Sequence, residues 1–182
     1  MATEALDRDV ERLVEAVQVL ASDVQAAAKL SEMRDTQFSR RAYIRAAFAL
    51  VEGNINLMAE VILDASSRME VGLAPKEIEI LRQERHTSDE AGLPVVRVKF
   101  VPIRDRIAPV FEMFSRLFGK CFKLDKCAAG WVDFTTAIEL RNRISHPKNA
   151  ASFTIDDSEL DAVERARQWF ADSVEVLLKQ CD

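Results

Sequence analysis

The residues with the most chemical potential are grouped in one short segment, residues 140–148, with the sequence LRNRISHPK. The segment contains His146, one of only two histidines in this chain of 182 residues. An imidazole titrates near neutral pH and can give or take a proton. Arg141 and Arg143 lie in the same segment, and a guanidinium holds an anion such as phosphate through a fixed fork of donors. These residue types indicate proton transfer beside a bound anion.

The segment ends a predicted helix, residues 130–146, because the residue before Pro147 is pushed out of helical conformation. At ~100° per residue, Arg141 lies near the middle of an apolar arc, and Asn142 and His146 lie together at its edge. The arc consists of Phe134, Ala137, Ile138, Leu140 and Ile144. Arg143 lies on the far side, four residues after Glu139, which is typical of a surface salt bridge worth roughly 0.2–0.5 kcal/mol.

Arg141 therefore needs a partner, because a guanidinium among apolar side chains must meet a carboxylate, a carbonyl, a phosphate or a cleft. Glu52 and Asp133 are the candidate internal carboxylates. Two interpretations stay open. In the first, Arg141 ties two helices together and His146 caps its helix, where a cation suits the dipole. In the second, the segment is a functional site, in which Glu52 either completes the site or neutralises Arg141.

The spacing Arg141-x4-His146, with Asn142 directly after the arginine, resembles the R-x4-H signature of the HEPN superfamily. The resemblance covers residues 40–178 in architecture and is specific over residues 131–148. Its other carriers are an amphipathic stretch with Trp131 and Phe134, Pro147 after the histidine, a last helix with Trp169-Phe170, and a long apolar helix containing AYIRAAFALVEGNIN.

The resemblance implies a helical bundle that forms a homodimer, so that two copies of the motif meet. It also implies a metal-independent endoribonuclease that needs no cofactor. In that activity His146 would act as general acid or base, Arg141 would hold the scissile phosphate, and Asn142 would orient either of them. Because each chain supplies one such histidine, an acid and a base together would require two chains.

Family toxins that are paired with a nucleotidyltransferase carry a tyrosine two residues after the histidine, where this chain has Lys148. Lys148 is a supporting phosphate contact or an ordinary surface lysine. The resemblance implies an RNA substrate, a defence, toxin or RNA-processing role, and room for an antitoxin or another protein partner. The alternative function is a non-catalytic module of the same fold that binds a partner protein, RNA or nucleotide.

The elements that must position the segment are predicted to be helical, since Gly and Pro number only 5 each and apolar residues recur at steps of three and four. We expect an all-α, antiparallel bundle of five to six helices in a single domain, residues 1–182, with an irregular insertion at residues 69–103. The predicted helices are residues 4–30, 37–68, 75–84, 105–117, 130–146 and, after an N-cap at Thr154, up to residue 180. Residues 96–100 alternate as one short strand without an obvious partner.

Several basic residues outside the segment are candidate RNA contacts. Arg40 and Arg41 begin the second helix together with Tyr43, and could form a rim with aromatic support. The densest basic run lies in and after the insertion, and consists of Arg97, Lys99, Arg104 and Arg106. A solvated surface is the favoured explanation of the arginines at the start of the second helix, and His86 is predicted to be an ordinary loop histidine.

The overall composition argues against several other classes. A net charge of −5 and a pI near 5.2 disfavour a globally basic nucleic-acid binder. The three cysteines, Cys121, Cys127 and Cys181, suit neither a disulfide framework nor a zinc site, and Cys127 and Cys181 are expected to fill apolar space. No metal motif, glycine-rich phosphate loop, signal peptide or run of about 20 apolar residues is evident. We therefore expect a cytoplasmic protein without a membrane segment.

Overall fold

The fold of the chain, in a computed structural model that describes residues 2–69, 71–88 and 93–181, is an all-α helical bundle. The predicted fold class is thus confirmed. The elements are α1 (Ala2–Met33), α2 (Gln37–Met69), α3 (Pro75–Arg82), β1 (Glu84–Ser88), β2 (Pro94–Val98), α4 (Ile103–Leu117), α5 (Ala129–Ser145), a 3-10 turn (Ala150–Phe153) and α6 (Asp157–Cys181).

Helix α2 has two apolar stripes, the second of which consists of Tyr43, Leu50, Leu57 and Val61. One stripe is buried along its whole length, and consists of Ile44, Phe48, Val51, Ile55, Met58 and Ile62. Tyr43 and Val61 of the second stripe are buried as well. By length and composition alone α2 also passes as a membrane span, contrary to the sequence-based expectation, but half of its most apolar window is buried inside the protein. A helix buried on more than one side needs that composition.

The insertion contains a β-hairpin, so the expectation of a lone strand was wrong. β1 pairs with β2 in antiparallel register, from Glu84 opposite Val98 to Ser88 opposite Pro94. The sequence predicts a polar turn at Gly92 and Pro94, and residues 89–92 lie outside the described residues. Helix α3 precedes the hairpin and has Pro75 in its first turn, as predicted. The sequence predicts the end of α3 and a loop at residues 84–88, because these polar residues lack strand alternation, and the structure shows that prediction to be wrong.

Helix α4 differs from its prediction at two residues. A proline is normally tolerated only in the first turn of a helix, so Pro109 predicts a start later than residue 105, yet it lies inside α4. The cost is offset by burial, since Ile107, Val110 and Phe111 are fully buried. Arg106, expected in a basic surface run, is only 5% exposed. Its guanidinium bonds the carbonyls of Ile80 (3.2 Å) and Leu81 (2.8 Å), and burial lowers its pKa.

The chain divides into two compact units. The first takes in the described residues of 1–13 and 55–124, together with Cys181. The second takes in residues 14–54 and 125–180, and it contains the segment 140–148. The single-domain assignment stays a prediction.

The core of the second unit is aromatic where α5 meets α6. The Phe134 ring lies 5.7 Å from the Trp131 ring, 5.3 Å from Trp169 and 6.5 Å from Phe170, measured between centroids. On its other side, Phe134 stacks on Phe48 of α2 at 6.4 Å. This cluster fixes α5 between α2 and α6, and so determines where the last turn of α5 lies.

Helix α6 begins later than its predicted N-cap. The Oδ1 of Asp156, not Thr154, accepts the backbone N–H of Glu159 at 2.9 Å, and the Glu159 carboxylate accepts the N–H of Asp156 at 3.2 Å. This reciprocal pair is a capping box. It lowers the pKa of Asp156, chiefly through the bond from the Glu159 N–H. Because Thr154 lies two residues earlier, its carbonyl is free for another contact.

Candidate functional site

The last turn of α5 presents His146 to solvent. His146 is the C-cap, with φ −125° and ψ 64°, and its N–H donates to the carbonyl of Asn142 at 2.9 Å. The following Pro147 excludes helical conformation at His146, which explains why α5 ends at Ser145. The side chains of Asn142 and His146 are both exposed. An imidazole in this position is open to a substrate and to proton exchange with water.

Arg141 bonds a carboxylate inside the second unit. Its Nη2 donates to Oε1 of Glu52 on α2, and its Nη1 donates to Oδ1 of Asn142 at 3.1 Å. The side chains of Arg141 and Glu52 are 27% and 34% exposed. Of the two candidate partners, Glu52 is therefore the one used. Asp133 instead accepts two bonds from Arg165, at 3.0 and 2.9 Å.

Arg143 has a structural role that the helical wheel missed. The predicted surface pair with Glu139 was wrong, because the guanidinium reaches across to α6. It donates to both carboxylate oxygens of Glu159, at 2.7 and 2.9 Å, and to the carbonyl of Thr154 at 2.7 Å. The bonds that Arg143 donates to Glu159 raise the pKa of Arg143. Arg143 thus fastens the loop after α5 and the start of α6 to the last turn of α5.

The loop that follows His146 is held by further hydrogen bonds. Ser152 Oγ accepts the Lys148 N–H at 3.2 Å, and Asn149 Oδ1 accepts the Ser152 N–H at 3.1 Å. The amide of Gln37 both donates to the Ile155 carbonyl (2.9 Å) and accepts the Ile155 N–H (2.8 Å). The side chain of Lys148 is exposed.

The basic rim predicted at the start of α2 is only partly available. Arg40 is neutralised by Asp35 and Asp157, with N–O distances of 2.5 and 2.6 Å, and these bonds raise its pKa. Tyr43 is buried and donates to Glu164, and burial is the main cause of its raised pKa. Neither side chain is free to contact RNA.

Arg41 differs from its neighbour, because an aromatic ring supports it. Its guanidinium lies 5.5 Å from the centroid of Phe153, and its Nη1 donates to the Phe153 carbonyl at 3.0 Å. Phe153 was not among the residues singled out from the sequence. The available signal was a phenylalanine in a polar loop seven residues after the histidine.

The other predicted RNA contacts belong to the first unit. Arg97 is exposed on β2. Lys99 lies 3.2 Å from Glu79, and Arg104 lies 3.5 Å from Asp105. The second histidine of the chain, His86, is in β1 of this unit, and its side chain lies outside the described residues.

A cavity of about 500 Å³ in the second unit is strongly acidic. It is lined by one arginine, Arg40, against five carboxylates: Glu32, Asp35, Asp157, Asp161 and Glu164. This balance of charge repels phosphate. The cavity is therefore unsuited to RNA.

Metal ligands do not cluster in the part of the chain that the structure describes, where no group of three His, Cys, Asp or Glu side chains could hold an ion. Cys127 is exposed rather than packed in apolar space, and Cys181 is half-buried. Comparisons of the chain with family models, curated proteins and solved structures gave no match.

The geometry of the last turn of α5 supports proton transfer and anion binding. His146 is accessible for proton transfer, and Asn142 links it along the helix to Arg141. Arg141 is positioned by Glu52 and remains partly exposed, so it can meet an anion that approaches from solvent. An exposed imidazole next to a positioned guanidinium is what phosphate-ester chemistry needs.

Proposed function

We propose that this protein is a metal-independent endoribonuclease of HEPN type, acting in the cytoplasm with its active site at a homodimer interface. The observation that carries the proposal is the exposed His146 at the C-cap of α5, one turn after Asn142, which accepts a hydrogen bond from Arg141. Arg141 and His146 are the two fixed positions of the R-x4-H signature that the sequence resembles, and Asn142 directly follows the arginine. A defence or toxin role is part of the same proposal.

In the proposed reaction the 2′-oxygen of a ribose attacks the adjacent phosphorus, and the bond to the 5′-oxygen breaks. A general base takes the proton from the 2′-hydroxyl, and a general acid protonates the leaving 5′-oxygen. The products are a 2′,3′-cyclic phosphate and a 5′-hydroxyl. His146 of one chain serves as base and His146 of a second chain serves as acid, which is why the proposal requires a dimer.

Arg141 stabilises the charge that develops on the phosphoryl oxygens. A guanidinium has five N–H donors, and the bonds described above use its two terminal nitrogens. Glu52 fixes the plane of the group from the α2 side. The solvent-facing part of the guanidinium is left for phosphate.

The decisive experiment incubates the purified protein with RNA in EDTA. We expect cleavage to continue and the product ends to carry a 2′,3′-cyclic phosphate. His146→Ala should lower the rate by roughly 10²- to 10⁴-fold, the usual contribution of acid–base catalysis. His86→Ala is the matched control, because it removes the other histidine. Absence of cleavage, or full activity in His146→Ala, would overturn the proposal.

The ion pair between Arg141 and Glu52 favours a second candidate function, a non-catalytic helical module that binds an antitoxin or another partner protein. In that role Arg141 would serve mainly as a tether between α5 and α2. Arg141→Ala would then lower the free energy of unfolding, and no loss of RNA cleavage would be traced to the missing guanidinium. An Arg141→Ala protein that is inactive yet as stable as the wild type would exclude this candidate.

A further inference from the structure

Three side chains of the second unit form a small exposed surface with aromatic and cationic character. Phe38 on α2 is 65% exposed, and Phe153 at the end of the 3-10 turn is 36% exposed. Arg41 lies one helical turn after Phe38, with its guanidinium 5.5 Å from the Phe153 ring centroid. We call Phe38, Arg41 and Phe153 the stacking patch.

The stacking patch is fastened close to the end of α5. Thr154, the residue after Phe153, accepts a bond from Arg143 at 2.7 Å, and Arg143 precedes His146 by three residues in the last turn. On the other side, the Phe153 carbonyl accepts a bond from Arg41 at 3.0 Å. Phe153 therefore lies in the loop that follows His146, and this loop is bonded to both α2 and α5.

Two exposed cations lie near the stacking patch. Arg45 is exposed and lies one turn beyond Arg41 on the same stripe of α2, at positions i and i+4. Lys148 is exposed in the loop that carries Phe153. An exposed aromatic surface bordered by cations fits a polyanion that has flat π-faces. A purely apolar protein partner would leave these cations without compensation.

We propose that the stacking patch binds an unpaired base of single-stranded RNA next to the phosphate cleaved at His146. The position of that phosphate rests on the proposed function. Bases stack on aromatic rings and on guanidinium planes without regard to sequence. In a duplex the faces of the bases are covered by their neighbours, so the patch selects single strands. It sets substrate class and leaves the chemistry to His146 and Arg141.

Binding is measured with the full chain carrying His146→Ala, so that the RNA stays intact. Three fluorescent probes of equal length are compared at one fixed salt concentration: single-stranded oligouridine, the same backbone without bases, and an RNA duplex. A fixed salt concentration matters because phosphate contacts alone depend steeply on it. The comparison between the first two probes isolates the bases.

The His146→Ala chain, which is the parent of the further variants, should bind oligouridine roughly 5- to 100-fold more tightly than the baseless strand. This is the range expected when one or a few bases stack. Phe153→Ala should reduce that preference several-fold, whereas Phe153→Tyr should keep it. Val132→Ala is the matched control, since Val132 is an apolar side chain of the same unit that is 62% exposed. It should leave both affinities unchanged.

Phe38→Ala and Arg41→Lys are the second pair of variants, for use if circular dichroism shows that Phe153→Ala has not folded. Both should reduce the preference for bases, because a lysine keeps the charge of Arg41 and loses its plane. The proposal is overturned if the parent binds the baseless strand or the duplex as tightly as oligouridine. It is also overturned if the patch variants weaken all probes equally. Either result would mean that the protein contacts these strands through their phosphates and not through their bases.

These outcomes are separate from those of the cleavage assay. If the wild type cleaves RNA and Phe153→Ala keeps the preference for bases, the stacking patch is rejected and the proposed nuclease activity is not. If the preference for bases depends on Phe153 but the wild type does not cleave RNA, the proposed nuclease activity is rejected and base binding by the patch is not.

Discussion

Arg141 shows how one residue can satisfy two interpretations at once. It is partly withdrawn from solvent and bonded to Glu52, as expected of a tether between α5 and α2. It also touches Asn142, and so stands next to the exposed turn that carries His146. The pair is too exposed for a large electrostatic contribution, because solvent screens charges at this depth.

We predict a small but measurable coupling between Arg141 and Glu52. In a double-mutant cycle with Glu52→Ala and Arg141→Ala, urea unfolding should give a coupling energy of about 0.5–1 kcal/mol. The corresponding cycle with Asp133→Ala and Arg141→Ala is the control, and should give no coupling, since Asp133 bonds Arg165. Equal coupling in both cycles would contradict the contacts described.

Sequence reasoning reached the half-buried position of Arg141 and the exposed edge with Asn142 and His146, because helical periodicity fixes direction around an axis. It failed for Arg143, which the wheel placed four residues after Glu139 as a surface pair. The true partner, Glu159, is sixteen residues away and depends on how α6 packs. Phe153 was missed for the same reason, since Arg41 is distant in sequence.

At the scale of elements, the position of the site depends on the contact between α5 and α6. Gly130 lies in the first turn of α5, where an added Cβ would come within 2.3 Å of two indole atoms of Trp169 and 2.5 Å of its Cβ. The absence of a side chain allows the two helices to approach each other. Trp169 in turn packs on Phe134 and Trp131.

We predict that Gly130→Ala lowers the free energy of unfolding by about 1–3 kcal/mol, the usual cost of overpacking. Inside an unconstrained helix, by contrast, Gly→Ala raises the free energy of unfolding by up to ~1 kcal/mol. Gly53→Ala is the matched control, because its Cβ would meet only the tip of Leu20, which can rotate away. We expect Gly53→Ala to stay within about 1 kcal/mol of wild type. Chemical denaturation followed by circular dichroism measures both variants.

A Gly130→Ala protein as stable as the wild type would show that the close approach of α5 and α6 is not required.

The long helices could be predicted from sequence and the insertion could not. α2 matches its predicted start at Gln37 and ends one residue beyond the predicted end, because its apolar pattern persists over many turns. In α4 and β1 the local preferences conflicted with tertiary packing. Pro109 argued for a later start, yet the buried stripe held the helix through it, and the polar residues 84–88 form a strand only by pairing with residues 94–98.

At the scale of the whole molecule, the proposed mechanism sets a requirement on stoichiometry. The R-x4-H motif supplies one histidine per chain, His146. The proposed mechanism therefore takes its acid and its base from the His146 side chains of two chains. Closed two-fold dimers are the commonest arrangement that brings two identical residues together.

We predict that His146→Ala chains inactivate wild-type chains by forming mixed dimers with them. When the two are mixed in equal amounts and allowed to exchange, only about one quarter of random dimers contain two histidines, so activity per wild-type chain should fall to about one half. A cleavage assay on co-refolded mixtures measures this ratio. His86→Ala chains, mixed in the same way, should cause no loss. Unchanged activity per wild-type chain would mean that each protomer acts alone.

The bonds of Gln37, Arg41 and Arg143 to the loop after His146 affect the entropy of binding. Each of these side chains bonds a backbone carbonyl of the three consecutive residues 153–155. The loop is thereby ordered when the chain folds. The entropic cost of ordering it, about 1–2 kcal/mol per residue, is part of folding and not of binding. A ligand that lands there gains affinity from a surface fixed in advance, because little conformational freedom remains to be lost.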